Sequence, residues 1–161
     1  MDARFHIRPA ALADAPTLSR LERQCFSDPW STEGFREVLA TPVCFGLIGE
    51  AGLEIQGYLL ARAVAGEGEI LNLAVVPGAR RRGIGGALLE VGLRQLRNRG
   101  AREVFLEVRE SNQAARAMYQ SRGFRVVGAR QRYYRQPVED ALVFRLPLAP
   151  RDSDTAVVDS G

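Results

Sequence analysis

The chain has 161 residues, 46% hydrophobic and 25% charged, which is ordinary for a globular protein with one sizeable core. No window approaches the ~18 apolar residues of a membrane span, and Met1 to Ala10 lack the apolar run of a signal peptide, so a cytoplasmic protein without membrane contact is expected. The formal charge is +3 and all 22 basic residues are arginine, which excludes lysine chemistry such as Schiff bases.

The predicted elements begin with an extended run at Phe5 to Arg8 that carries the sole histidine, His6, expected on a strand surface. Asp14 with Pro16 predicts a helix start, and Leu18, Leu21 and Cys25 form its apolar stripe. Asp28-Pro29-Trp30-Ser31 breaks the pattern, with Ser31 expected to cap a second helix over Thr32 to Leu39. Trp30 and Phe35 suit the core, or else the wall of a groove. Val43 to Ile48 and Ile55 to Val64 predict antiparallel strands joined at Gly49-Glu50-Ala51-Gly52. Cys25 and Cys44 are too few and too far apart for a zinc motif and are expected to be buried, reduced thiols.

Ile70 to Val76 then predict a central strand, stopped by Pro77-Gly78 and followed by Arg80-Arg81-Arg82-Gly83-Ile84-Gly85-Gly86 and a helix from Ala87. Ile84, Leu88, Val91 and Leu96 mark its apolar face, and Gly100 its end. A strand, a basic glycine loop and a helix start suit a ligand that ends in phosphates. Glycines admit close backbone approach, and the first helical N–H groups point at the anion. A Walker loop is excluded because the chain has no lysine, and a dinucleotide fingerprint is excluded because Leu88 stands where a small residue is needed.

A strand at Arg102 to Arg109, a helix at Asn112 to Arg122 ended by Gly123, and strands at Phe124 to Gly128 and Ala141 to Leu146 complete the pattern, the last two separated by Arg130 to Tyr134. The order β-α-α-β-β-β-α-β-α-β-β predicts an α/β (α+β) fold with a mixed sheet. From Pro150 onward the chain is polar and aperiodic, with a net charge of −2, and a disordered tail over residues 150–161 is expected.

Within Val104-Phe105-Leu106-Glu107-Val108, alternation puts Glu107 on the face opposite Val104, Leu106 and Val108. A half-buried carboxylate is expected to have its pKa raised towards neutrality, which suits a general base; a glutamate on an edge strand facing water or Arg109 is the alternative. Tyr119 lies in an alanine-rich helix twelve residues later. It is protonated at neutral pH and suited to donate to a leaving thiolate, or it is simply core.

The loop resembles the Gln/Arg-x-x-Gly-x-Gly/Ala signature of the GNAT superfamily of N-acetyltransferases. Phe26-Ser27-Asp28-Pro29-Trp30-Ser31, Leu71-Asn72-Leu73-Ala74-Val75, Leu106-Glu107-Val108-Arg109, Asn112 with Ala117-Met118-Tyr119, Tyr133-Tyr134 and Glu139-Asp140-Ala141 are together similar to its RimI branch, bacterial enzymes that acetylate the N-terminal alanine of a small-subunit ribosomal protein. Val76 departs from the aspartate common in that branch, at a position past the expected coenzyme contacts.

The resemblance implies a GNAT domain over residues 1–149, with a mostly antiparallel central sheet flanked by helices. It implies acetyl-CoA as co-substrate, no metal, and a protein N-terminus as acceptor, ribosomal protein first. Glu107 would be the base and Tyr119 the acid. Leu73, Ala74 and Val75 would meet the pantetheine and acetyl group, Arg81, Arg82, Gly83, Ile84, Gly85 and Gly86 the pyrophosphate, and Asn112 the coenzyme. Tyr133, Tyr134 and Glu69 would contact the acceptor. No direct nucleic-acid binding and a monomer are expected. A small-amine acetyltransferase and a non-catalytic acyl-CoA-binding module remain as alternatives. The Tyr133-Tyr134 pair and the lack of acidic clusters argue against the first, and retention of both Glu107 and Tyr119 argues against the second.

Overall fold

The computed structural model describes residues 5–135 and 137–149; the expected tail, residues 150–161, lies outside the described residues. The order of elements is β1 (His6–Pro9), α1 (Ala15–Cys25), α2 (Thr32–Ala40), β2 (Cys44–Ala51), β3 (Glu54–Val64), β4 (Glu67–Val75), α3 (Ile84–Asn98), β5 (Glu103–Arg109), α4 (Gln113–Ser121), β6 (Arg125–Tyr134) and β7 (Glu139–Pro147). Single 3-10 turns occupy Leu12–Asp14 and Pro77–Ala79. The strands form one mixed sheet in the order β1-β2-β3-β4-β5-β7-β6, flanked by the helices. β4 pairs with β5 in parallel, while β1–β2, β2–β3, β5–β7 and β6–β7 are antiparallel. This is the α/β fold with a mixed sheet that the element order predicts, mostly antiparallel as the resemblance implies.

The chain divides into two compact units, Met1–Arg62 with Ile70–Gly92, and Ala63–Glu69 with Leu93–Gly161. In the first unit, Asp14 precedes α1 as expected but its side chain makes no cap to that helix. Its carboxylate instead accepts from Ala11 N at 2.7 Å and pairs with Arg8, tying β1 to the 3-10 turn. Ser31 caps α2 as expected, its Oγ accepting from Gly34 N at 3.0 Å. Ala15, Leu18, Leu21, Phe35, Ile48, Tyr58, Leu60 and Ala74 form the buried cluster beneath α1 and α2. Phe35 is fully buried and belongs to the core, the first of the two readings, and Trp30 packs on it at 5.1 Å between ring centroids as a partly buried residue at the cluster's margin. Cys25 and Cys44 form no disulfide and are only half-buried, a correction to the buried thiols expected.

The β2–β3 hairpin turns later than expected. Ala51 pairs with Glu54, so Gly52 and Leu53 form the tip, and Gly49 lies within β2 opposite Gly57. That glycine pair admits α3 closely: a Cβ built on Gly49 would lie 3.1 Å from Ile84 Cγ2, and one on Gly57 3.2 Å from the same atom and 2.9 Å from Ala74 O. The helix therefore begins at Ile84, three residues before the expected start, with Gly85 and Gly86 in its first turn.

In the second unit, Gly100 ends α3 as expected. Ala101 N donates to Leu96 O and Gly100 N to Arg97 O, both at 3.0 Å, the paired bonds of a glycine C-cap. β5 alternates as predicted, with Val104, Leu106 and Val108 buried, and it lies between β4 and β7 in the sheet, β4 pairing with it over Glu103 to Phe105 and β7 over Glu103 to Arg109. The clearest departure is β6. It runs from Arg125 to Tyr134, absorbing the segment expected to separate the last two strands. As the outer strand of the sheet it exposes residues on both faces, and it carries irregularities at Val126/Gly128 and Arg130/Tyr134, so no alternation marks it.

Candidate active site

The first unit holds the β4 end and the arginine-glycine loop together. After β4 the 3-10 turn at Pro77–Ala79 reverses the chain, and Arg80 Nε donates back to Val75 O at 2.9 Å. Cys25 Sγ reaches the same carbonyl at 3.7 Å, so Val75 O is occupied and a ligand would meet N–H groups of this strand rather than that oxygen. Burial raises the Cys25 thiol pKa against the nearby Arg80 guanidinium. Arg81 and Gly83 both take left-handed backbone, with φ of 67° and 82°. Positive φ costs a non-glycine residue about 1–2 kcal/mol, and such strain concentrates at ligand clamps.

Ala87 N donates to Gly83 O at 3.0 Å, the first bond of α3. The N–H groups of Ile84, Gly85 and Gly86 precede it and have no acceptor within the helix. Arg80, Arg81 and Arg82 are exposed around them. Open space surrounds Gly83, where an added Cβ would meet nothing within 4 Å. Helix donors, exposed guanidinium groups and an unobstructed approach fit a pyrophosphate.

The second unit gathers the acid–base residues. The Glu107 side chain is 19% exposed, with Oε2 2.7 Å from Arg130 Nε. The two form an ion pair that shields this oxygen from solvent. The sequence expectation of a carboxylate among apolar neighbours is thus corrected: a guanidinium stands beside it. Arg130 also lies 5.4 Å from the centroid of the Tyr133 ring. The Tyr133 hydroxyl pKa is pushed up, first by burial and then by the Glu107 charge facing it, with Glu69 adding to the same effect.

Tyr134 packs edge-on to Tyr133 at 5.2 Å, and its pKa is pushed up to about 12 by burial and by Glu107. Tyr119, on α4, is 6% exposed and packs against Phe124 at 5.5 Å and Phe144 at 6.2 Å. Burial and the neighbouring Tyr134 hold its hydroxyl well above the ordinary tyrosine value, so it keeps its proton at neutral pH. Glu107, Tyr119, Tyr133, Tyr134 and Glu69 are therefore electrostatic neighbours in one unit. Asn112 is not among them in any such interaction: it caps α4, its Oδ1 accepting from Ala115 N at 3.2 Å.

Two arginines organise this cluster: Arg109, which the sequence offered only as an alternative partner of Glu107, and Arg130, to which it gave no role. Arg109 donates to Pro137 O at 3.1 Å and Arg135 O at 3.0 Å, pairs with Glu139, and stacks 4.4 Å over Tyr134. It fastens the β6–β7 turn to the end of β5. Arg130 faces Glu107 across β7, a partnership set by register that no local pattern announces. Among the described residues no cluster of His, Cys, Asp or Glu could hold a metal ion, and no helix is long and apolar enough to cross a membrane. His6 lies on β1 with Nε2 3.1 Å from Glu50, on the strand surface as expected.

The sequence profile described as "Acetyltransferase (GNAT) family" matches residues 15–124. The chain is similar to the ribosomal protein bS18-alanine N-acetyltransferase of Salmonella typhimurium, with 34% identity over 146 residues, covering 84% of this chain and 93% of that one. It is 40% identical over 139 residues to the N-alpha-acetyltransferase RimI of Mycobacterium tuberculosis, covering 83% and 86% of the two chains. The crystal structure of the ribosomal-protein-S18-alanine N-acetyltransferase from Escherichia coli superposes with a TM-score of 0.84 at 30% identity, covering 92% of this chain and 98% of that one.

Proposed function

The chain belongs to the GNAT family of acetyltransferases, and on that premise we propose that it transfers the acetyl group of acetyl-CoA to a protein N-terminal α-amine, most specifically the N-terminal alanine of the bacterial small-subunit ribosomal protein bS18. The observation that carries the reading of its mechanism is the Glu107 carboxylate, 19% exposed and facing Tyr133 and Tyr134, with the buried, protonated Tyr119 beside Tyr134. The names of the relatives support the acceptor.

In this reading the side chains of Arg81 and Arg82 and the N–H groups from Gly83 to Gly86 take the pyrophosphate. The backbone of Leu73, Ala74 and Val75 meets the pantetheine and the acetyl carbonyl, and Asn112 adds a coenzyme contact through its remaining polar groups. Tyr133, Tyr134 and Glu69 receive the acceptor. An α-amine with a pKa of about 8 is largely protonated at neutral pH and must lose a proton before it attacks. Glu107 accepts that proton through a water molecule. The amine nitrogen bonds to the thioester carbonyl carbon, whose oxygen is stabilised by backbone N–H groups of β4. The C–S bond then breaks, the leaving sulfur takes the proton of the Tyr119 hydroxyl, and the nitrogen gives up its second proton, which restores the Tyr119 hydroxyl through solvent while Glu107 releases its own proton to water. Orientation of the two reactants supplies much of the rate, and the positioned base and acid supply the remainder.

The test is mass spectrometry of peptides incubated with the protein and acetyl-CoA. The set pairs a peptide beginning with alanine with the same peptide blocked at its α-amine, and adds a lysine-bearing blocked peptide and a polyamine. Addition of one acetyl group to the free α-amine alone is the expected result. Modification of the polyamine alone would replace this proposal with the small-amine reading. No modification of any acceptor, with coenzyme A still bound, would favour the acyl-CoA-binding module.

A further inference from the structure

A carboxylate outside the residues assigned above is sealed in the first unit. Glu22, on the buried side of α1, is 2% exposed. Its Oε1 accepts from Tyr58 Oη at 2.7 Å and Asn72 Nδ2 at 2.9 Å, and its Oε2 from Asn72 Nδ2 at 3.1 Å and Trp30 N at 3.2 Å. Every partner donates, so the pocket matches a carboxylate that only accepts. Burial pushes the Glu22 pKa up, while the bonds from Asn72, Tyr58 and Trp30 N pull it down. An apolar side chain at this place in the stripe would carry no such desolvation cost. The carboxylate instead joins α1 to β3, to β4 and to the turn before α2.

The placement of the β4 bonds gives this network a use. Asn72 immediately precedes Leu73, Ala74 and Val75, the triplet proposed to meet the acetyl-bearing end of the coenzyme. Glu22 holds the Asn72 side chain before the triplet, and Cys25, three residues along the same helix, holds Val75 O at its end. One face of α1 therefore brackets the triplet from both sides. We propose that Glu22 is a positioning residue for coenzyme binding, acting through Asn72 to fix the backbone of Leu73–Val75. The inference rests on the coenzyme reading of that strand. Misplacing a binding backbone by about 1 Å is enough to lower activity by orders of magnitude.

The experiment is calorimetric titration of coenzyme A into the full chain and its Glu22→Gln, Asn72→Ala and Leu18→Ala variants, with steady-state kinetics alongside. Glu22→Gln keeps the shape but turns one acceptor into a donor facing donors. We expect Glu22→Gln and Asn72→Ala each to weaken coenzyme A binding about tenfold, the scale of losing a hydrogen bond to a charged group. The KM for acetyl-CoA should rise in step. Leu18→Ala removes buried volume from the cluster that also holds Tyr58 and Ala74 but leaves every hydrogen-bonding group of the network in place, and should lower the melting temperature while leaving coenzyme affinity within about twofold, since a cavity acts mainly on stability.

Wild-type affinity in both Glu22→Gln and Asn72→Ala would overturn the inference, as would equal weakening by Leu18→Ala, which would reduce the role to stability alone. If Glu22→Gln does not fold, Asn72→Ala decides between the same outcomes. Failure of the unsubstituted chain to bind coenzyme A is a separate result: it would overturn the coenzyme reading, and this inference with it.

Discussion

Gly57→Ala is a direct test of how the fold places the arginine-glycine loop. The new Cβ would lie 2.9 Å from Ala74 O and 3.2 Å from both Ile84 Cγ2 and Leu88 Cδ1. The two methyl groups can give by a few tenths of an ångström, but the carbonyl belongs to β4 and cannot move alone. Overpacking of this kind costs about 1–3 kcal/mol, and the lower chain entropy of unfolded alanine offsets about 0.5–1 kcal/mol of it. A net loss of about 1–2 kcal/mol corresponds to a fall in Tm of roughly 3–8 °C for a chain of this size. The groups that must yield are Ala74, in the proposed coenzyme strand, and Ile84, the first residue of α3. Coenzyme A affinity, read by calorimetry well below the transition, should therefore fall by about tenfold, as when one positioned polar contact is lost. Gly128→Ala is the control: a Cβ there meets nothing within 4 Å, so stability and affinity should both hold. A Gly57→Ala protein with unchanged Tm and unchanged coenzyme affinity would refute the argument that the Gly49–Gly57 pair seats the helix start.

Three further outcomes follow from the second unit. Glu107→Gln should lower kcat by about 10²–10⁴-fold, the usual contribution of a positioned base, with coenzyme A binding retained; unchanged turnover would remove Glu107 from that role. Tyr119→Phe should slow the chemical step, seen in single-turnover kinetics, while leaving peptide affinity near its original value; equal losses in both would mark the hydroxyl as a packing or binding group. The third outcome concerns pH. The pKa values of all four tyrosines, Tyr58, Tyr119, Tyr133 and Tyr134, are raised, with burial as the leading cause. Each folded tyrosine therefore keeps its proton where the unfolded chain loses it, so this contribution to stability is whole below the unfolded pKa of about 10. It is lost as pH rises through the folded values, the Tyr134 hydroxyl reaching its own at about 12. Ultraviolet titration near 295 nm should show little tyrosinate at pH 10 and a steep rise on alkaline unfolding. Ordinary ionisation of more than one tyrosine at pH 10, in a chain still folded by circular dichroism, would contradict the environments of Tyr58, Tyr119 and Tyr134.

The parts of the site legible in the sequence are those whose cause is local. Alternation alone puts Glu107 opposite Val104, Leu106 and Val108, and the strand–arginine–glycine–helix succession marks the loop, because a period of two and a helix start are short-range facts. Arg130 was invisible for the opposite reason. Glu107 and Gly128 both pair with Val143 of β7, so the encounter of Arg130 with Glu107 depends on two strand registers and on the irregularities in β6. An outer strand exposed on both faces gives no alternation from which to infer them. Glu22 lies between these cases. Leu18, Leu21 and Cys25 define the buried stripe of α1, and Glu22 falls within it, four residues after Leu18. A carboxylate at that position signals a buried partner set, since leaving it unpaired there would be too costly. The partners come from residues 30, 58 and 72, and only the folded chain brings their donors to one point. A charge inside an apolar helical stripe can thus be recognised from sequence as an organising residue before its partners can be named.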